Sequence, residues 1–142
     1  MNRPLYESPQ DLTNEASLVG ICEREWNCKA HKLAIKYGVD FALVRHQIVC
    51  AFVEIKARTT PRDRYPTYMI SLDKMVRAGD LYSATGLPVF LVVGWTDGAG
   101  WTSLHQRDWA RDVRIGGRTD RGDAQDTEPV VHIPVFEFKV FS

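Results

Sequence analysis

The sequence has no net charge, few cysteines and no long hydrophobic run, and each absence excludes a class of protein. Lysine and arginine total 18, as do aspartate and glutamate, so bulk basic charge gives no support for nucleic-acid binding and phosphate contacts need local clusters. The three cysteines lack disulfide spacing, which fits a reducing cytosol and predicts a cytoplasmic protein. No apolar run approaches the ~20 residues of a membrane span and no apolar leader is visible, so we expect neither membrane insertion nor secretion.

The length and the order of apolar segments predict one domain over residues 1–142. Ser71 is suited to cap a helix, and Gly86 to end it. Beyond a first helix, the predicted elements are a helix at Leu72–Thr85 and strands at Val39–Val44, Val49–Ala57, Val89–Trp95, Val130–Ile133 and Val135–Phe141. Residues 97–100 are also predicted to form a hairpin turn into Trp101–Leu104. This order gives an α/β or α+β domain with a mixed β-sheet flanked by helices, and we expect the α/β class.

The first predicted helix carries an acid on its apolar stripe. We expect this helix to be capped by Asp11 or Thr13 and to run to about Lys32. Residues at helical spacing form a row along it, namely Glu15, Val19, Cys22 and Trp26. Glu15 therefore begins a row whose later members are core residues, although Glu23 lies beside the same row.

Two consecutive predicted strands carry charged residues where a strand interior is normally apolar. Asp40 lies near the start of the first strand, and Glu54 and Lys56 lie in the second. Side chains alternate along a strand, so Glu54 and Lys56 share one face. Burying such groups without partners is costly, and their presence together suggests a site that binds a cation.

The loop between these strands decides whether the two acids meet. With a three-residue loop at residues 46–48, Arg45 faces Val49 and Asp40 lies opposite Glu54. A two-residue loop would shift the register by one residue and spoil the pairing. We expect the first register.

Two carboxylates at this position would supply hard oxygen ligands. Asp40 and Glu54 suit Mg²⁺, with Mn²⁺ as a substitute, and the carbonyl of Ile55 is a natural third ligand. A metal-bound water becomes a nucleophile at neutral pH, and Lys56 could orient it or stabilise charge on a phosphate. In the alternative interpretation, Val53 and Ile55 face the core while Glu54 and Lys56 form a solvated strand face.

A basic segment follows the second strand. Arg58, Arg62 and Arg64 are candidate contacts to a nucleic-acid backbone, in a chain without bulk positive charge. Tyr65 and Tyr68 lie beside them, and the sequence leaves open whether they contact nucleic acid or pack in the core.

These residues resemble a known family. The pattern resembles the motif of the PD-(D/E)xK nuclease superfamily. It consists of an acid in the first helix, Asp40 at the start of a hairpin and Glu54-x-Lys56 in the next strand. Order and spacing are most similar to small Holliday-junction-resolvase-like members, many of them carried by phages or archaea. The resemblance covers about residues 11–95, whereas residues 96–142 add strands and a polar loop without a counterpart. Val39 stands where the motif has proline.

The resemblance implies a restriction-endonuclease-like core and a Mg²⁺-dependent DNA endonuclease that hydrolyses phosphodiester bonds. It makes Asp40 and Glu54 metal ligands, Lys56 the catalytic lysine and Glu15 the acid of the first helix. Lys74 falls where related nucleases often have a further polar or basic residue near the site, which makes it a candidate contact to nucleic acid. The resemblance also implies branched DNA as substrate and raises a homodimer as an expectation, in the host cytoplasm if the protein is phage-encoded.

Two other classes of protein remain as alternatives. One is a nuclease-fold module that binds nucleic acid or protein without cutting it. The other is an unrelated interaction domain with a solvent-exposed polar strand face. The complete set of Glu15, Asp40, Glu54 and Lys56 argues against the first, and close approach of the two hairpin acids would argue against the second.

Overall fold

The computed structural model describes residues 9–34, 38–105, 112–115 and 128–141. Helices in this part of the chain are α1 (Pro9–Trp26) and α2 (Leu72–Thr85). The strands are β1 (Lys29–Lys32), β2 (Phe41–Arg45), β3 (Ile48–Ala57), β4 (Thr67–Ser71), β5 (Val89–Trp95), β6 (Gly98–Ser103), β7 (Val113–Ile115), β8 (Pro129–Pro134) and β9 (Lys139–Val140). Short 3₁₀ turns lie at Arg62–Arg64 and Val135–Glu137.

A six-stranded mixed sheet forms the centre of the fold, in the order β1-β2-β3-β5-β6-β9. The central pair, β3 and β5, is parallel, and the other neighbours are antiparallel. β5 is an unbroken apolar run because both faces of the sheet are covered at this position. A three-stranded antiparallel sheet has the order β4-β8-β7. The predicted α/β fold with a mixed sheet is confirmed.

Helix α1 covers one face of the large sheet. Leu18 and Cys22 pack in one apolar cluster with Val53 and Ile55 of β3. A Cβ at Gly94 of β5 would lie 2.7 Å from a methyl carbon of Leu18, so glycine permits the close approach of helix and sheet. Ala51, Val53 and Ile55 of β3 therefore face α1, and Glu54 and Lys56 face the opposite side.

Helix α2 and the smaller sheet cover that opposite side. Met75 and Ala78 of α2 belong to one buried cluster with Leu91 of β5 and Ile133 of β8. No helix in the described part of the chain is long and apolar enough to cross a membrane.

The first helix ends earlier than its sequence pattern predicts. We expected it to reach Lys32, but α1 ends at Trp26 and residues 29–32 form β1 at the edge of the sheet. Asn27 has a φ of 49°, a left-handed conformation that asparagine tolerates and that ends helices. Because α1 spans Pro9–Trp26, the predicted cap positions, residues 11 and 13, lie within it.

The boundaries of α2 agree with the prediction. The Ser71 hydroxyl accepts a hydrogen bond from the backbone N–H of Lys74 at 3.2 Å. Gly86 is left-handed, with a φ of 72°, and its N–H donates to the carbonyl of Tyr82 at 2.7 Å. These two caps set the length of the helix that carries Lys74.

The last predicted strand is wrong over most of its length. Val135–Glu137 is a 3₁₀ turn, and β9 covers only Lys139–Val140. Val135 and Phe138 are buried, a spacing of three that suits a 3₁₀ turn rather than an alternating strand. Residues 116–127 of the predicted polar loop lie outside the described part of the chain.

Candidate active site

The β2–β3 hairpin has a two-residue turn, not the predicted three-residue loop. Arg45 pairs with Ile48, and the turn residues His46 and Gln47 have φ values of 52° and 65°. Two consecutive positive φ angles are typical of the tight turns that join twisted antiparallel strands. With this turn alone, Asp40 would fall opposite Val53 rather than Glu54.

A β-bulge restores the register that brings the acids together. The pairing changes between Val44, which faces Val49, and Leu43, which faces Ala51, so Cys50 is an extra residue in β3. Beyond the bulge Phe41 pairs with Val53. Continuing this register by one residue places Asp40 opposite Glu54.

The Asp40 carboxylate is held by the backbone of β3. Its Oδ2 accepts a hydrogen bond from the N–H of Ile55 at 2.7 Å, and its own N–H donates to the carbonyl of Val53 at 3.1 Å. The N–H and C=O of one strand residue point toward the same neighbour. The Ile55 carbonyl therefore points toward the edge where Asp40 lies, just before β2 begins.

Glu54 is buried between the large sheet and α2, with only 1% of its surface exposed. Lys56 Nζ lies 3.5 Å from Glu54 Oε2, and Lys74 Nζ lies 3.2 Å from the same oxygen. Hydrogen-bond geometry from Lys74 is met only at Oε1, at 3.3 Å. Oε2 is buried and has no hydrogen-bond donor among the described residues.

Burial raises the pKa of Glu54 above its ordinary value, and the negative charge of Asp40 raises it further. The positive charges of Lys56 and Lys74 act in the opposite direction. The buried Glu54 carboxylate and the half-buried Asp40 carboxylate thus repel one another. A cation that bound both would remove this repulsion.

The donors at this position fit a hard divalent cation. Asp40 and Glu54 supply carboxylate oxygens, Glu54 Oε2 accepts no hydrogen bond from the described residues, and the Ile55 carbonyl points toward the same edge. Within the described ranges no group of three or more histidine, cysteine, aspartate or glutamate side chains could hold a metal. Two carboxylates, one carbonyl and water molecules suit Mg²⁺ or Mn²⁺ better than Zn²⁺.

Glu15 is buried but faces a different side of the sheet. It lies on the inner face of α1, and its carboxylate pairs with Lys32 of β1. Lys32 is the cross-strand partner of Phe41, which packs in the α1 cluster, and its Nζ lies 5.4 Å from the centre of that ring. This contact is on the face opposite Glu54, and the place of Glu15 in the metal site stays a prediction.

Lys74 was predicted to contact DNA, but its side chain lies inside the site. Its Nζ donates to the Gly38 carbonyl at 3.3 Å as well as to Glu54. The sequence pattern placed Lys74 on the second helix but contained no signal for this contact, because it depends on how α2 packs against the sheet.

Tyr68 joins the site although its role was left open from sequence. Arg58 Nη2 donates to Tyr68 Oη at 2.7 Å, and the guanidinium carbon lies 4.5 Å from the centre of the tyrosine ring. Burial, the largest cause, raises the pKa of Tyr68 to about 12; Arg58 opposes this, and the charges of Glu54 and Asp40 add to it. The hydroxyl thus lies within electrostatic reach of both acids.

The other two predicted DNA-binding arginines have different environments. Arg62 Nη2 donates to the carbonyls of Val135 at 2.8 Å and Phe138 at 3.0 Å, so its guanidinium ties the basic loop to the C-terminal segment. Arg64 is exposed, with its guanidinium carbon 5.7 Å from the ring centre of Tyr65. DNA contact by either residue stays a prediction.

The mixed sheet with its two helices is a Holliday-junction-resolvase-like fold. The solved structure of Hjc, a Holliday junction resolvase from the archaeal hyperthermophile Archaeoglobus fulgidus, is similar to this chain, with a TM-score of 0.55 and 12% sequence identity. The similarity covers 88% of this chain and 84% of that one, and at this identity it shows the fold alone.

The chain belongs to the family described as "Phage putative PDDEXK endonuclease", whose sequence model matches residues 1–141. No curated protein sequence matches it significantly. The predicted superfamily is therefore confirmed, and membership implies a nuclease that acts on DNA. Nucleases of this class generally use divalent metal ions.

Proposed function

We propose that the chain is a Mg²⁺-dependent DNA endonuclease with Asp40, Glu54 and Lys56 as its catalytic residues. The observation that carries this proposal is the hydrogen bond from Ile55 to Asp40, which fixes one carboxylate beside a second that is buried. An unrelated interaction domain with a solvated strand face would gain nothing from burying Glu54 beside a second acid. Asp40, Glu54 and the Ile55 carbonyl would hold the cation.

Each residue has a distinct part in the proposed reaction. A bound divalent cation would supply an activated water and neutralise charge on the phosphate. Lys56 is 42% exposed at its side chain and extends past Glu54 toward solvent, where a DNA phosphate would approach. Its ammonium would orient the attacking water and stabilise negative charge developing on the phosphate.

The remaining predicted residues act around this centre. Arg58, held by Tyr68, and the exposed Arg64 would contact phosphates, whereas Arg62 supports the loop that carries them. Glu15 stays in the proposal as an outer acid whose ion pair with Lys32 would have to rearrange before it reached the cation.

Branched DNA is the finer substrate proposal. It is supported by the fold shared with a Holliday junction resolvase and by the family-like order of the acids. Two strands must be cut to resolve a junction, so a homodimer is part of this finer proposal.

Cleavage assays test the proposal directly. Purified protein should nick supercoiled plasmid and cut a synthetic four-way junction with Mg²⁺ or Mn²⁺, and EDTA should stop both reactions. Asp40→Asn, Glu54→Gln and Lys56→Ala should stay folded by circular dichroism and lose at least about a hundredfold in rate. Asp73→Asn is the matched control, because Asp73 is an exposed acid paired only with Arg77 in the described contacts.

The assays also separate the alternatives. A Glu54→Gln variant that cuts as fast as the parent would overturn the proposed site. DNA binding without cleavage under any metal would support the binding module. Equal rates on linear duplex and junction would remove the branched-DNA proposal while leaving the endonuclease in place.

A further inference from the structure

The ammonium of Lys74 is surrounded by three oxygens of the candidate site. Its Nζ lies 3.3 Å from Glu54 Oε1, 3.2 Å from Glu54 Oε2 and 3.3 Å from the Gly38 carbonyl. Lys56, by comparison, approaches only Glu54 Oε2, at 3.5 Å. Lys74 thus spans both oxygens of the buried carboxylate, as a chelated cation would.

The backbone around Lys74 positions it for this contact. The Ser71 hydroxyl, which caps α2, accepts a hydrogen bond from the backbone N–H of Lys74. This contact fixes the first turn of the helix, from which the Lys74 side chain extends. On the other side, Gly38 has a φ of 83°, and a Cβ there would lie 2.8 Å from the Arg77 side chain. Glycine therefore allows the segment before β2 to present its carbonyl to the ammonium.

The oxygens of Glu54 that contact Lys74 are those that the proposed function gives to a divalent cation. One carboxylate group cannot chelate an ammonium and a Mg²⁺ ion in the same place, because the two positive charges would repel one another. We propose that Lys74 competes with the divalent cation for Glu54, so that metal binding requires the ammonium to move away. This inference rests on the proposed function.

Competition has two linked consequences. Lys74 lowers the affinity for the divalent cation, because its contacts to Glu54 must be broken first. Lys74 also compensates the buried charge of Glu54 when no divalent cation is present. Removing the ammonium should therefore strengthen metal binding and weaken the folded state in EDTA, and added metal should reverse the second effect.

The test uses the full chain and Mn²⁺ as the probe. Isothermal titration calorimetry measures Mn²⁺ binding, and thermal unfolding is recorded in EDTA and in excess Mn²⁺. Lys74→Met removes the ammonium but keeps a flexible chain of similar length. Lys74→Arg restores a positive charge. Arg77→Met is the matched control, since it removes a charge from the same helix without a described contact to Glu54.

We expect Lys74→Met to bind Mn²⁺ about tenfold more tightly than the parent, within the usual range for coupled sites. Its unfolding temperature should fall in EDTA and return toward the parent value in Mn²⁺. Lys74→Arg should resemble the parent, and Arg77→Met should change the Mn²⁺ affinity by less than about twofold.

Opposite outcomes overturn the inference. If Lys74→Met binds Mn²⁺ no more tightly than the parent, or if Arg77→Met shows the same gain, Lys74 does not compete for the site. A failure of Mn²⁺ to reverse the loss of stability would make Lys74 a permanent structural partner. If the parent binds Mn²⁺ and cuts DNA in these cases, the proposed function stands; if it binds no Mn²⁺, both proposals fail.

Discussion

The backbone N–H of Ile55 donates a 2.7 Å hydrogen bond to Asp40 Oδ2, so the strand that carries Glu54 also orients the second acid. The relationship couples the position of Asp40 to the backbone of β3 rather than to another side chain. It leaves the second carboxylate oxygen of Asp40 as the natural ligand for a cation.

The first prediction separates the structural role of Asp40, which accepts a hydrogen bond from Ile55, from its proposed role as a metal ligand. Asp40→Asn keeps an oxygen that can accept from Ile55 and removes the charge that repels Glu54, so its free energy of unfolding should fall no more than about 0.5 kcal/mol below that of the parent. Asp40→Ala leaves the Ile55 N–H without its partner and should cost about 1–2 kcal/mol. Urea unfolding measures both, and cleavage should be lost in both. Equal stabilities of the two variants would show that the hydrogen bond does not matter to the fold.

The second prediction concerns the support that Tyr68 gives to Arg58. Tyr68→Phe keeps the buried ring but removes the oxygen that accepts from Arg58, so Arg58 should be held less firmly. We expect DNA affinity to fall by about three- to tenfold, with Arg58→Ala falling at least as far. Fluorescence anisotropy in EDTA measures binding without cleavage.

The salt dependence provides the control for this prediction. Arg58→Ala should reduce the slope of log affinity against log salt by about one, because one phosphate contact is lost. Tyr68→Phe in the Arg58→Ala background should then have no further effect on binding. An additional loss in the double variant would mean that Tyr68 acts independently of Arg58.

The third prediction is a pH dependence of stability from Tyr68. Burial raises its pKa from 10.0 to about 12, so the folded protein keeps a phenolic proton that the unfolded chain releases between these values. Stability from this group is complete below about pH 10 and is lost as the pH rises toward 12, by roughly 2–3 kcal/mol in all. The measurement is the difference in unfolding free energy between the parent and Tyr68→Phe, which should decrease from about pH 9 to about pH 11. A constant difference would contradict the raised pKa.

The fourth prediction distinguishes the two neighbouring arginines of the basic loop. Arg62→Ala removes hydrogen bonds to two backbone carbonyls of the C-terminal segment and should cost about 2–3 kcal/mol of stability. Arg64→Ala, at an exposed position, should cost less than about 0.5 kcal/mol. Chemical unfolding measures both. Similar losses for the two variants would show that Arg62 does not anchor that segment.

Local signals in the sequence account for the parts of the fold that were predicted well. Ser71 and Gly86 mark the ends of α2 because a cap depends on a few neighbouring residues. The end of α1 was missed because Asn27 turns the chain into β1, which is stabilised by pairing with the distant strand β2. The helical stripe itself stops at Trp26, the last residue of α1, so the prediction to Lys32 extended the helix beyond its apolar row.

The candidate site shows the same division. The charged positions on β3 were visible from sequence because a strand interior seldom carries an acid and a lysine on one face. The contact between Lys74 and Glu54 was not visible from sequence, because it depends on how α2 packs on the sheet. Alignment of Asp40 with Glu54 was expected from a longer loop, whereas the structure reaches it through a short turn and a bulge at Cys50.

The bulge at Cys50 separates the length of the turn from the alignment of the two acids. Many side chains could occupy position 50, because this residue has no cross-strand partner in β2. Deleting it would leave Leu43 opposite Ala51 and Phe41 opposite Val53 in an unbroken ladder, so Asp40 would still lie opposite Glu54 and only the local bend and twist of the bulge would be lost. Inserting a residue between the bulge and Glu54 would instead turn Glu54 and Lys56 to the face covered by α1. Over evolutionary time, this hairpin should therefore accept substitution or loss of residue 50 more readily than a single-codon insertion farther along β3.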